Sequence, residues 1–119
     1  MNYIMSNFKK SKIFEERFNE SCKIIEKYPD RLPIVVEKSI KSKINDIDKN
    51  KYLVPKEMTL GQFLYIIRKR IKLEPAEALF FFVNNILCSN SQTMNEVYNT
   101  YKDKDGFLYI TYSSENTFG

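Results

Sequence analysis

The chain has no histidine among its 119 residues. That removes serine–histidine and cysteine–histidine nucleophile pairs, and with them most transition-metal sites. Cysteine is nearly as scarce. Cys22 and Cys88 are the only two; they match no zinc spacing and could close at most one disulfide, so free thiols are the simplest expectation. No run approaches the roughly 18 apolar residues of a membrane-spanning helix. The first fourteen residues are broken by Asn, Lys and Ser and hold no apolar signal core. The chain is therefore expected to be soluble as translated. A strong charge bias is also missing: the formal net charge is +4 with acids and bases interspersed, which sets the chain apart from dedicated nucleic-acid binders. No acid–base or nucleophile constellation is visible. Neither an enzyme nor a cofactor is expected.

Apolar residues make up 43% of the chain, including eight Tyr and nine Phe, enough for one core in one domain. Residues 1–12 are short and mixed, an arm or a short helix. Ile13–Tyr28 has a helical period: Phe14, Phe18, Cys22, Ile25 and Tyr28 step by three and four along one face, with Ile24 adjoining. Pro29 ends it. Leu32–Lys38 is a strand apolar enough to be covered on both faces. A polar loop, 39–50, follows, with Ile44 and Ile47 as anchors. Ala78–Val83 is a second buried strand, and Asn84-Asn85 a turn. Thr93 and Glu96 form a capping box for a short helix with Met94, Val97, Tyr98 and Tyr101 on its face. Phe107–Tyr112 is the last strand, and residues 113–119 form a polar tail.

The stretch Lys49–Arg70 organises the rest. Tyr52-Leu53-Val54 has strand propensity and alternates its side chains between two faces. Pro55 cannot donate to a ladder, which suits a strand end or a sheet edge. Thr59 and Gln62 form a first capping box. Leu60, Phe63, Leu64, Ile67 and Ile71 then share one helical face. An edge strand, an apolar helix and a basic border suit an extended acidic peptide; an ordinary edge strand on an ordinary core helix fits the same residues. The order helix, strand, strand, helix, strand, short helix, strand is that of a β-grasp with an extra helix at the front, which would cover the second sheet face. The fold class expected is α+β, a ubiquitin-like β-grasp with a four-stranded mixed sheet.

KYPDRLPIVVEK (27–38), DKNKYLVP (48–55), TLGQFLYIIRKRI (59–71), ALFFFVNN (78–85) and DGFLYITYSSENTFG (105–119) together resemble the ubiquitin-like autophagy modifiers, the GABARAP and microtubule-associated light-chain family. The likeness runs without large gaps from about Phe14 to the end. It implies a β-grasp core over 29–113, two N-terminal helices within 1–28 packed on it, and a conjugation tail at 114–119. It implies a tag, not a catalyst. Gly119 would be joined to phosphatidylethanolamine after passing through an activating and a conjugating enzyme, and a cysteine protease would release it. The tag would be cytoplasmic, and on autophagosomal membranes once lipidated. There it would recruit receptors and adaptors that carry an aromatic-x-x-aliphatic motif preceded by acids.

The resemblance also carries site residues. An aromatic pocket would be built from Glu20, Ile24, Pro33, Lys51, Leu53 and Phe107. An aliphatic pocket would be built from Tyr52, Val54, Pro55, Met58, Phe63, Ile66 and Ile67. Arg31, Lys49 and Arg70, with Lys51, would read the flanking acids. Phe80, Phe82 and Phe118 would contact the conjugation machinery, although Phe80 and Phe82 read equally well as core. Two anchors worth about 1.5–3 kcal/mol each before costs, plus main-chain pairing, imply an affinity near micromolar, about −8 kcal/mol. Glycine at the terminus suits a narrow enzyme channel because it has no Cβ.

The sequence departs from the family pattern in places. Met58 stands where relatives usually have Leu, and a pliable side chain there alters motif selectivity. Ser39-Ile40 and Cys88-Ser89 replace proline-containing turns. The front helix is less basic than in relatives that associate with microtubules, which puts tubulin binding in doubt. Relatives usually carry a short extension after the glycine, so an end at Gly119 is either encoded or already cut. A non-conjugated trafficking or cytoskeletal adaptor using the same groove, and an organelle-biogenesis role for the lipidated form, remain open at this stage.

Overall fold

The computed structural model describes residues 6–115. Four helices and five strands follow one another as α1 (Asn7–Ser11), α2 (Phe14–Lys27), β1 (Arg31–Lys38), β2 (Lys51–Pro55), α3 (Leu60–Arg70), β3 (Phe80–Val83), β4 (Ile86–Leu87), α4 (Met94–Tyr101) and β5 (Leu108–Ser113). One mixed sheet has the order β2-β1-β5-β3-β4. The β1–β2 hairpin is antiparallel, and β5 lies parallel to β1 between it and β3. This is the expected β-grasp.

The sheet has five strands, not four. Asn84 and Asn85 both take positive φ, 51° and 62°, as a tight two-residue hairpin turn requires. They fold Ile86-Leu87 back beside Phe82-Val83. A two-residue strand is too short to show a period, so only its turn was legible.

Strand alternation divides the core in two. Leu32, Ile34 and Val36 of β1 face α3 and α4, joined by Val54, Leu108, Ile110 and Tyr112 and by Leu60, Phe63, Ile67, Met94 and Val97 from the helices. Ile44 and Ile47 anchor the polar loop against this cluster. Both capping boxes form: Thr59 accepts from Gln62 N, and Thr93 from Glu96 N. The two helix starts are stitched together, because Met94 N donates to Met58 O at 2.7 Å and Gly61 N to Asn90 O at 3.0 Å.

The opposite sheet face carries the smaller cluster of Val35, Phe107 and Phe8, with Ile24 and Tyr109 against it. Here the expectation for the front helix is corrected. α2 does cover this face, but Phe14, Phe18, Cys22, Ile25 and Tyr28 point away from it and are exposed. The side chains it buries are Arg17 and Ser21. The reason is Asp105, whose side chain is fully buried. Its carboxylate accepts from Arg17 Nε at 3.0 Å, Tyr109 Oη at 2.5 Å and Phe107 N at 2.9 Å. Its carbonyl accepts from Ser21 Oγ at 2.5 Å. A buried charge must be paired, so the polar stripe of α2, not the apolar one, faces inward. Gly106 (φ +89°) completes the fit, since a Cβ there would overlap Ser21 Oγ. Cys22 and Cys88 are both free thiols.

Arg17→Ala leaves Asp105 buried without its cation and is expected to cost about 3–5 kcal/mol in urea unfolding at neutral pH. Burial already pushes Asp105 above the ordinary carboxylate range, ahead of the opposing hydrogen bond from Tyr109. Loss of Arg17 raises it further. The folded variant then binds a proton more tightly than the unfolded chain, so its deficit shrinks as pH falls. A deficit that is constant from pH 7 to 4 would contradict this.

Candidate functional site

β2 ends the sheet order, so one side of its backbone has no strand partner among the described residues. Its register with β1 sets Leu53 beside Pro33, Lys51 beside Val35, Tyr52 beside Ile34 and Val54 beside Leu32. Leu53 and Lys51 therefore share the α2 face of the sheet, and Tyr52 and Val54 the α3 face.

On the α2 face, Leu53 is half-buried and 36% exposed. Lys51 Nζ lies 2.9 Å from Glu20 Oε2, and Lys12 Nζ lies 2.7 Å from Glu20 Oε1. Burial raises the pKa of Glu20, but the hydrogen bonds from the two lysines outweigh it and hold the carboxyl below its ordinary value. Ile24 packs against Phe107, which is buried. Glu20, Ile24, Lys51 and Phe107 thus meet in one place, with Leu53 exposed beside them and Pro33 buried under it in the neighbouring strand.

Two residues absent from the sequence reading also meet there. Phe8 of α1 stacks edge-on against Phe107, with centroids 5.1 Å apart, and lies under the ammonium groups of Lys12 and Lys51 at 5.8 and 5.7 Å. Ser6 caps its helix by accepting from Phe8 N and Lys9 N. That cap, followed by a lone aromatic in a polar stretch, was the available signal. Lys12 gave none, because its role depends on a neighbour eight residues away.

On the α3 face, Tyr52 meets Phe63 edge-on at 5.5 Å. Tyr52 and Met58 are partly buried; Pro55 is partly buried beside them in sequence. Ile66 is exposed. Val54, Phe63 and Ile67 are core residues, 0–2% exposed, so they can floor a depression but not line an open one.

The basic border is divided. Arg31 is exposed. Lys49 Nζ stands 5.1 Å above the Tyr52 ring. Arg70 already holds Asp48, at 3.0 Å from Nε; desolvation pushes that carboxyl up, but the hydrogen bond and charge of the guanidinium, with backbone hydrogen bonds, together hold it below its ordinary value. An incoming acid would have to compete with Asp48 for Arg70. Phe80 is half-buried, whereas Phe82 is 2% exposed and belongs to the core. Phe118 and Gly119 lie outside the described residues.

Residues 16–119 match the family described as "Autophagy protein Atg8 ubiquitin like". The chain belongs to the Atg8 family. Atg8 relatives match across nearly all of it. Autophagy-related protein 8e of Arabidopsis thaliana is 57% identical over 114 residues, covering 96% of this chain and 93% of its own. Autophagy-related protein 8 of Schizosaccharomyces pombe is 56% identical, covering 96% and 94%. The crystal structure of Trypanosoma brucei ATG8 superposes with a TM-score of 0.90 at 46% identity, covering 98% of this chain and all of that one. Plasmodium falciparum Atg8, solved in complex with a Plasmodium falciparum Atg3 peptide, superposes with a TM-score of 0.85 at 38% identity, covering 93% and 98%. The chain is an autophagy ubiquitin-like modifier of the Atg8 type. No helix among the described residues is long and apolar enough to cross a membrane.

The Glu20 clasp has a defined pH dependence. A carboxyl whose folded pKa is depressed contributes stability that is present above its unfolded value, near 4.5, and lost as pH falls through the folded pKa. Glu20→Gln is therefore expected to be less stable than the parent by no more than about 1 kcal/mol at pH 7. The two unfolding curves should converge as pH falls below the unfolded value and through the folded pKa, where the carboxylate is neutralised in both states. A gap that widens on acidification would contradict the clasp.

Proposed function

We propose that this Atg8 chain is a tag joined through Gly119 to phosphatidylethanolamine on autophagosomal membranes, and that β2 docks aromatic-x-x-aliphatic peptides from receptors and adaptors. The observation that carries the docking half is the open β2 edge, whose alternate side chains lead to two different apolar depressions. A peptide adding a strand there would make main-chain hydrogen bonds along Lys51–Pro55. Its aromatic anchor would enter between Ile24, Leu53 and Phe107, and its aliphatic anchor between Tyr52, Pro55, Met58 and Ile66, over the buried floor of Val54, Phe63 and Ile67. Arg31, Lys49, Lys51 and Arg70 would attract acids before the motif. Exposed pairs of this kind are worth roughly 0–1 kcal/mol each, so they set on-rate and preference more than affinity.

The conjugation half rests on family membership, with Phe118-Gly119 inside the span that the family model matches. The same membership supports an activating enzyme, a conjugating enzyme and a deconjugating cysteine protease as partners. The Atg3 peptide bound by the Plasmodium relative favours the second of these. Phe80, half-buried near the sheet edge, is available to such a partner; Phe82 would act through packing. The chain would be cytoplasmic before conjugation and on autophagosomal membranes after it. Within the family, we assign the chain to the GABARAP and light-chain members on the motifs quoted above.

Two measurements test the halves separately. Tyr52→Ala combined with Leu53→Ala should weaken a motif peptide at least about 100-fold by calorimetry, because each opens a wall of a depression whose anchor is worth about 1.5–3 kcal/mol, while circular dichroism shows a folded protein. Retained affinity in the folded variant would move the site elsewhere. With both enzymes, ATP and phosphatidylethanolamine liposomes, the parent should acquire lipid and Gly119→Ala should not. Identical behaviour of the two would sink the tag.

A further inference from the structure

The loop between β1 and β2 holds the first residue of the tail. Ser39 and Ser42 are buried, 7% and 8% exposed, in a stretch whose neighbours Ile40, Lys41 and Lys43 are exposed. Three hydrogen bonds fix this loop to the body of the domain. Ser39 N donates to the Tyr112 carbonyl at 2.9 Å. Tyr112 Oη donates to the Asn45 carbonyl at 2.6 Å, and Asn45 Nδ2 donates to the Ile71 carbonyl at 2.6 Å. Between those anchors a turn is closed by Ser42 N donating to Ser39 O at 3.0 Å. It presents the Ser42 hydroxyl to the end of β5.

Both ladders of β5 stop at that point. The last pair on the β1 side is Lys38 with Tyr112, and the last on the β3 side is Phe80 with Ser113. Ser114 lies one residue past them, so its amide has no strand to donate to. It donates instead to Ser42 Oγ at 3.3 Å, and the two hydroxyls face each other at 3.5 Å. Glu115 N makes only a local bond, to Ser113 Oγ at 3.1 Å. Among the described residues, Ser114 is therefore the last whose backbone is held by another part of the fold. The Ser42 hydroxyl in turn has no partner among them besides Ser114. A side chain this small adds little to a core, so its burial in an exposed, lysine-rich loop is explained by that contact and not by packing.

A tail that enters an enzyme channel must become ordered there, and ordering each residue is an entropy cost that binding has to offset. Extending the hold on β5 by one hydrogen bond lowers that cost. It also fixes the point from which Gly119 is presented. Five residues separate Gly119 from Ser114, a reach of at most about 18 Å at about 3.6 Å each.

We propose that Ser42 is a positioning residue for conjugation: by accepting the Ser114 amide, it holds the root of the tail at the end of β5 so that Gly119 is offered to the enzymes from a fixed point. Ser42 acts through Ser114, not on the reacting carboxyl. The inference rests on the proposed joining of Gly119 to phosphatidylethanolamine and adds how the fold presents that glycine.

Initial rates of lipidation with both enzymes, ATP and phosphatidylethanolamine liposomes, measured across chain concentrations, test this. Ser42→Ala should raise KM roughly 2- to 10-fold, the factor that one net hydrogen bond is worth. It should leave kcat unchanged, because the chemistry at Gly119 is the same once the tail is seated. Ser42→Thr keeps the hydroxyl and should restore the parent KM. Amide hydrogen exchange reads the contact directly: Ser114 N–H should exchange several-fold faster in Ser42→Ala, while Ser39 N–H keeps its protection and shows that the loop is still folded. An unchanged KM overturns the inference, as does Ser114 exchange that ignores Ser42 or a loss confined to kcat. Equal losses in Ser42→Ala and Ser42→Thr would assign the effect to loop packing and also overturn it. A parent that acquires no lipid sinks the tag itself. A lipidated parent matched by Ser42→Ala leaves the tag standing and removes only the role of Ser42.

Discussion

A single buried carboxylate sets the geometry of the front of this molecule. Asp105 sits in the turn before β5, and its oxygens are shared among Arg17, Tyr109 and the Phe107 amide. A charge in that position is tolerable only while all of those donors stay in place. The requirement fixes the rotation of α2 about its own axis, because Arg17 and Ser21 must both point at the turn. It fixes α1 as well: Arg17 Nη1 donates to the carbonyls of Lys9 and Lys12 at 3.2 and 3.1 Å, and Lys9 pairs with Asp103.

From that rotation the rest follows. With Arg17 turned inward, Glu20 and Ile24 lie one turn apart along the side of α2 that borders β1 and β2, where Glu20 can hold Lys51 and Lys12 together. The depression beside Leu53 is therefore a consequence of the Asp105 cluster and not of β2 alone. The same rotation forces Phe14, Phe18 and Ile25 outward. In a chain stabilised by only about 5–15 kcal/mol, one ionic cluster outranks several half-buried apolar side chains in deciding which face of a helix turns in.

This ranking explains what was legible in the sequence. α3 and α4 announced themselves because capping box, apolar period and burial agree: Leu60, Phe63 and Ile67 are core residues and Thr59 caps as expected. β1, β2, β3 and β5 were readable from propensity and length. The inward face of α2 was not, because periodicity identifies an apolar stripe without saying where it points. The deciding partner, Asp105, is 88 residues from Arg17 and reads in sequence only as part of an Asp-Gly turn. β4 escaped for want of length. At the docking edge, the residues carried by resemblance fall on the two faces that alternation requires. The sequence could not separate Val54, Phe63 and Ile67, which floor the second depression, from Tyr52 and Ile66, which are open to a ligand. It could not show Phe8 arriving from α1 to fill the space behind Phe107.

The arrangement also distributes tasks around one small sheet. The open β2 strand lies at one end of the strand order and β3–β4 at the other, with β5 between them leading into the tail. A strand added at β2 would not touch the β3–β4 hairpin at the other end of the strand order. The α2 stripe occupies yet another direction, over the front of β1 and beside α4. Glu20 projects from a different flank of α2, toward Lys51 and Lys12, so one helix presents two unlike faces. The element linking them is again the Asp105 cluster.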